Sequence, residues 1–222
     1  MISVQHLSKA YGSVQALEDV SFELPSGGLY GLVGSDGAGK TTLMRILATL
    51  LLPDSGTAAL DGYDVVRNME AVRQRVGYMP GRFSLYQDLT VEENVRFFAT
   101  LFGTTLEEGY DRIRDIYCQI ERFRTRRAGA LSGGMKQKLA LCCALVHNPS
   151  VLLLDEASTG VDPISRCDLL DMLERLRDQG VTILASTPYL NEIRRCEQVV
   201  DIEKGRVVNV WPPVETGREP VP

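Results

Sequence analysis

The run Gly34-Ser35-Asp36-Gly37-Ala38-Gly39-Lys40-Thr41 has the spacing GxxxxGK(S/T). Glycines at those offsets let the backbone curl until consecutive N–H groups converge on phosphate oxygens, and a helix starting there adds the positive end of its dipole. In such a loop the Lys40 ammonium reaches the β and γ phosphates, the Thr41 hydroxyl ligates Mg²⁺, and Thr42 belongs to the same phosphate-binding turn. A second candidate pair, Asp155-Glu156, closes an apolar run. Asp155 fits the acidic residue that holds the Mg²⁺ through water, and Glu156 beside it is free to orient and deprotonate an attacking water. Together they point to nucleoside triphosphate chemistry.

These residues need particular elements to position them. Leu29–Val33 is a short apolar run that stops at the glycine loop, and Leu43, Met44, Ile46, Leu47, Leu50 and Leu51 then recur at helical spacing until Pro53 and Gly56. The order is strand, loop, helix. A second buried strand, Val151–Leu154, follows Pro149 and runs into Asp155; a third, Val181–Ala185, follows a predicted helix over Ile164–Gln179 and the stop signal Gly180. Strands alternating with helices predict a mainly parallel sheet covered on both faces. Ile2 to Leu24 reads as antiparallel strands, and Val199–Glu203 with Arg206–Val210 as a hairpin around Lys204-Gly205. Between about 84 and 144 the pattern is helical, over Thr90–Phe102, Leu106–Phe123 and Ser132–His147. The proline-bearing tail, 212–222, is expected to be poorly ordered.

Composition excludes several classes. The chain has 222 residues, 24 Lys+Arg against 29 Asp+Glu and a formal charge of −5. Hydrophobic content of 44% and charged content of 24% are globular values, which rules out disorder and a small disulfide scaffold. The mild acidity weighs against nucleic acid, which wants a basic face. No apolar run approaches the ~18–20 residues that cross a bilayer, and Met1–Ala10 lacks a signal-peptide pattern, so a cytosolic protein is expected unless something holds it on a membrane. Cys118, Cys142, Cys143, Cys167 and Cys196 show no CxxC spacing and are expected to be reduced, buried thiols.

Leu131-Ser132-Gly133-Gly134-Met135-Lys136-Gln137-Lys138 resembles the LSGGQ signature of ABC-type ATPases, with Met135 in the glutamine position. Ser132 suits a helix cap, and the two glycines expose N–H groups at a positive helix end to an anion. The resemblance runs from Leu7 to about Val208. It implies a P-loop NTPase fold with a RecA-like α/β core (1–83 and 145–211), an N-terminal antiparallel β sub-domain and a helical sub-domain over about 84–144, all in a single ABC ATPase domain. It also implies ATP and Mg²⁺ as cofactors, and a head-to-tail homodimer or heterodimer in which Ser132, Gly133 and Gly134 hold the ATP of the opposite subunit. Tyr11 matches the aromatic that stacks on adenine, and Asp162 the residue that communicates across the dimer. Leu52-Pro53-Asp54-Ser55-Gly56 and the stretch Ser186–Glu192 look like subunits of bacterial exporters, peripheral on the inner face of the membrane through a separate permease. The helical insert and the loop Gly81–Leu85 would dock that permease.

Three family positions depart from the pattern. Gly81 stands where a glutamine usually touches Mg²⁺ and the attacking water, Pro188 where a histidine usually contacts the γ-phosphate, and Ala157 where proline is usual. Gln87 is not a shifted substitute, and His6 and His147 read as surface or cap residues. The arginines at 122, 124, 126 and 127 read as a solvated helix end. Losing one preorganised donor costs ~3–4 kcal/mol of transition-state stabilisation, and such losses do not add simply. Two readings follow: an ATP-hydrolysing transporter subunit, or a nucleotide-gated dimerising module that barely turns over. A soluble ABC protein of DNA repair or translation is disfavoured, since the chain has no room for a tandem domain or long coiled-coil insert.

Overall fold

The computed structural model describes residues 1–81, 85–160 and 162–211 of the chain, apart from the side chains of Leu190 and Asn191. Alternation of apolar residues builds its first sheet. β1 (Ile2–Tyr11) pairs antiparallel with β2 (Val14–Leu24) and with β4 (Ser55–Leu60), giving the order β2-β1-β4-β5 once β5 (Tyr63–Asp64) is added. The two-residue period slips at His6 and Asp19, both at positive φ, where the strands are bulged. The two side chains meet there, Nδ1 to Oδ1 at 2.7 Å.

The second sheet has the order β10-β9-β3-β8-β7-β6. β3 (Leu29–Val33), β6 (Val76–Met79), β7 (Val151–Asp155), β8 (Thr182–Ser186) and β9 (Gln198–Glu203) run parallel, and β10 (Arg206–Trp211) closes one edge antiparallel. β7 is apolar and buried until Asp155, yet its residues serve two cores. Val151 and Leu153 pack with α1 (Lys40–Leu47) and the antiparallel sheet; Leu152 and Leu154 pack with α6 (Pro163–Asp178) and the helical insert. The helices on both faces fit the predicted layering.

Boundaries shift where local chemistry decides. α1 stops a turn early because Thr49 takes a left-handed φ of 58°, which leaves Leu50 62% exposed. α2 (Met69–Arg73) is a short helix before β6. The insert starts with two capping boxes, Thr90–Glu93 on α3 (Val91–Leu101) and Thr105–Glu108 on α4 (Leu106–Tyr117), followed by α5 (Gly133–Leu145). The helix expected over Leu106–Phe123 breaks after Tyr117 and resumes as a 3₁₀ turn at Glu121–Phe123. Neither glycine nor proline marks the break; Tyr117 and Ile120 both enter the core there. The arginines that follow are exposed, with Arg122 and Arg126 over the Phe123 ring at 4.6 and 4.8 Å. α7 (Leu190–Ile193) follows β8. The expected tail lies outside the described residues.

Two expectations need correcting. Cys142, Cys143 and Cys196 are buried, but Cys118 and Cys167 are exposed, because α4 and α6 turn those positions outward. His6 is on the surface, whereas His147 is not: its ring stacks on Phe102 at 3.8 Å, and Nε2–H donates to the Val76 carbonyl at 3.2 Å. Desolvation lowers its pKa from 6.5 to about 4. The folded state therefore binds fewer protons than the unfolded chain between those values, and stability falls as pH falls through that window. Urea unfolding is expected to show a loss of about 2 kcal/mol between pH 7.5 and pH 5 attributable to this group. The loss should shrink in His147→Phe; an identical pH dependence in the two chains would remove His147 as its source.

Candidate functional site

The phosphate loop leaves β3 at Val33 and enters α1 at Lys40. Gly34 and Gly39, at φ 149° and 109°, are glycines for steric reasons as well, since a Cβ would strike the Ile202 carbonyl at the first and the Ala16 carbonyl at the second. Lys40 is 6% exposed. Its Nζ donates to the Gly34 and Ser35 carbonyls at 2.8 and 3.1 Å and lies 3.7 Å from Glu156 Oε1. Ser35, Asp36 and Gly37 are exposed at the crest of the loop, while Ala38 is buried and its N–H donates to Ser35. Thr42 lies in the first turn of α1.

Asp155 ends β7 and is buried. The Thr41 hydroxyl reaches its Oδ1 at 3.2 Å, so the two predicted Mg²⁺ ligands are side by side. A hydroxyl and a carboxylate are hard oxygen donors that suit Mg²⁺, which fills its other positions with water and phosphate oxygens. Among the described residues no cluster of three or more His, Cys, Asp or Glu forms a protein-only metal cage. Burial and the Asp155 charge push Tyr78 up to about 12, so its hydroxyl keeps its proton, 3.5 Å from Asp155 Oδ2.

Glu156 adopts φ 53°, an uncommon left-handed conformation for a residue with a side chain. Ser186, the last residue of β8, holds it. The Ser186 hydroxyl donates to Asp155 Oδ1 at 3.0 Å and accepts from the Glu156 N–H at 2.8 Å, while its carbonyl accepts from the same N–H at 3.1 Å. Sequence reasoning missed Ser186. The available signal was that polar residues end two neighbouring parallel strands, and the register pairs Asp155 with Ser186. Ser186→Ala is expected to lower turnover about tenfold by freeing both acidic residues. A phosphate-release assay at saturating ATP checks it, and an unchanged rate would reduce Ser186 to packing.

The departures from the pattern sit at this mouth. A Cβ on Gly81 would lie 2.9 Å from the Asp155 carbonyl oxygen and 3.6 Å from Glu156 Cβ. Pro188 is exposed just beyond the buried Thr187. Gln87 does not replace the missing glutamine; its amide donates to the Leu85 carbonyl, and its backbone pairs with Gly129.

A second group forms around α5. Ser132 caps that helix, accepting the Met135 N–H at 3.4 Å; Gly133 is open, and Gly134 faces Ser165. Asp162 caps α6 through the Ser165 N–H at 3.0 Å, and that bond holds its carboxylate below the usual range. Among the described residues no hydrogen bond or ion pair joins Ser132, Gly133 or Gly134 to the phosphate loop. Tyr11, 46% exposed, ends β1 in the hairpin whose Ala16 abuts Gly39.

The sequence profile described as ABC transporter matches residues 17–159. The chain belongs to the ABC transporter family. This ABC domain is 45% identical over 213 residues to the probable multidrug ABC transporter ATP-binding protein YbhF of Escherichia coli K12, covering 94% of the chain but only 37% of that relative's length. It is 36% identical over 199 residues to the ABC transporter ATP-binding protein NatA of Bacillus subtilis, covering 88% and 81% of the two chains. A solved ATP-binding subunit of an ABC transporter superposes with a TM-score of 0.87 at 31% identity, covering 96% of this chain and 90% of that one. A dimeric ATP-binding cassette bound to ADP and Pi shares the fold at 24% identity and the same TM-score, covering 97% of this chain and all of the other. The ABC domain thus has the P-loop fold, with a mostly parallel sheet and an antiparallel N-terminal sheet. No helix among its described residues is long and apolar enough to cross a membrane.

Proposed function

We propose that the chain hydrolyses ATP, dimerises head to tail upon binding it, and drives a membrane permease carried on a separate polypeptide, in the export direction. The observation that carries this reading is Glu156: a carboxylate at the end of β7, fixed by Ser186, 3.7 Å from the Lys40 ammonium and one residue from the Asp155–Thr41 pair. In this reading Gly34 to Thr42 cradle the phosphates, Lys40 neutralises the β and γ oxygens, and Tyr11 stacks on adenine. Thr41 and Asp155 hold Mg²⁺, which when bound supplies charge neutralisation to the transferring phosphoryl group. Glu156 orients a water and takes its proton. Ser132, Gly133 and Gly134 of one subunit bind the ATP of the other, and Asp162 relays between the two. The chain acts as a single ATPase domain whose insert, about 84–144, forms a helical sub-domain.

A groove of ≈ 860 Å³ between core and insert supports the permease reading. Arg73, Tyr78, Leu85, Phe98, Phe102 and His147 are among its lining residues. Beside it Tyr86 and Phe97, 49% and 40% exposed, stack edge to face at 4.6 Å. An amphipathic helix of a permease fits such a groove, and this docking would keep the chain at the inner face of the membrane. The names of relatives, multidrug transporter ATP-binding protein and Nod factor export ATP-binding protein, favour export.

Gly81 and Pro188 favour the alternative, a nucleotide-gated module with little hydrolysis. Mg²⁺-dependent phosphate release at saturating ATP, measured beside sedimentation of the same sample, separates the two readings. Turnover with ATP-driven dimers supports the motor, and dimers without turnover select the gated module.

A further inference from the structure

The helix carrying the signature is fastened to the segment that follows Glu156. Gln137, two per cent exposed, donates its Nε2–H to the Ala157 carbonyl at 2.6 Å. One turn earlier, a Cβ on Gly134 would lie 2.8 Å from Ser165 Oγ, so the first turns of α5 and α6 approach at a distance set by the absent side chain. Ser165 is the residue whose N–H Asp162 caps. Lys138 adds a third tie, Nζ to Asp168 Oδ2 at 3.4 Å.

The position of the Gln137 bond gives it meaning. Ala157 directly follows Glu156, whose own N–H is gripped by Ser186. The peptide that enters Glu156 is therefore held by the end of β8, and the 157–158 peptide, one residue further along, by α5. We propose that Gln137 is a positioning residue that couples the two nucleotide sites of the dimer: ATP seated against Ser132, Gly133 and Gly134 from the opposite subunit fixes α5, and Gln137 passes that constraint to the 157–158 peptide, one residue beyond Glu156, which limits how Glu156 stands over the subunit's own ATP. The coupling rests on the head-to-tail dimer proposed above. It explains why an amide buried among apolar residues spends its donor on a loop carbonyl and not within its own helix.

The test uses the Glu156→Gln chain, expected to hold ATP with turnover strongly reduced, and compares it with the same chain carrying Gln137→Met. Sedimentation reports the dimer, and amide hydrogen exchange reports residues 156–158 and the phosphate loop separately. The expected result is an ATP-driven dimer in both, with protection at 156–158 about tenfold weaker in the double variant and unchanged at the phosphate loop. In the chain with Glu156 intact, Gln137→Met should lower kcat about tenfold, leave KM for ATP within about twofold and abolish cooperativity between ATP molecules. Equal protection at 156–158, or a uniform loss that includes the phosphate loop, overturns the proposal. Gln137→Asn, a methylene shorter and still polar, gives the same reading should the methionine chain fail to fold. If the Glu156→Gln chain forms no ATP-driven dimer, sedimentation rejects the dimer reading and this coupling with it.

Discussion

Glu156→Gln is expected to lower Mg²⁺-dependent phosphate release by about 10³-fold while ATP still binds. The substitution keeps the size of the side chain, and the bonds that position residue 156 are made by its backbone to Ser186, so the local geometry survives. What disappears is the proton acceptor. A negative charge beside the γ-phosphate disappears as well, which strengthens ATP binding and lets closed dimers accumulate. The Lys40 ammonium loses a neighbour at 3.7 Å but keeps the Gly34 and Ser35 carbonyls, so the phosphate loop remains ordered. Phosphate release and sedimentation, run on one preparation with and without Mg²⁺, check the result. A variant as fast as the parent chain would place the general base elsewhere.

Pro188→His is expected to raise turnover about 10²-fold, the effect of returning one donor to a developing phosphoryl charge. Position 188 is exposed, two residues beyond the Ser186 that holds Asp155 and Glu156, so a new side chain meets no packed wall. Gly81→Gln should give no such gain. Its Cβ alone would stand 2.9 Å from the Asp155 carbonyl, a backbone atom that cannot swing aside, so the loop or the end of β7 has to move. The departures at 188 and 81 are therefore unequal: one is a missing side chain, the other a backbone that lies against the end of β7 in the absence of one. Rates of the parent chain, each single variant and the double variant decide this. A gain from Gly81→Gln alone would show that the close approach is easily relieved.

Much of this architecture was legible because its determinants are local. The phosphate loop is a contiguous motif between a strand and a helix, and Asp155-Glu156 is a pair at the end of an apolar run. Alternation of strands and helices gave the parallel sheet, and the caps at Thr90 and Thr105 are short-range signals. What stayed hidden depends on register and packing. Ser186 matters because β8 lies beside β7 with Asp155 as its partner, a pairing that neither strand announces alone. Gln137 looks like any polar residue of a helix until Ala157 is brought against it. The bulges at His6 and Asp19 break a period that reads as regular strand, and His147, polar and near a proline, suggests the surface although Phe102 covers it.

β7 behaves as a party wall. Leu153 and Leu152 are neighbours in the chain, yet each answers to a different core, so volume lost at one is not relieved by movement around the other. Costs on the two sides fall on different sets of packed residues. Substitutions can therefore accumulate on the side of the helical insert, where the groove proposed for docking lies, while the side that shapes α1 and its phosphate loop is left alone. A lineage can change what it couples to without retuning how it grips its nucleotide.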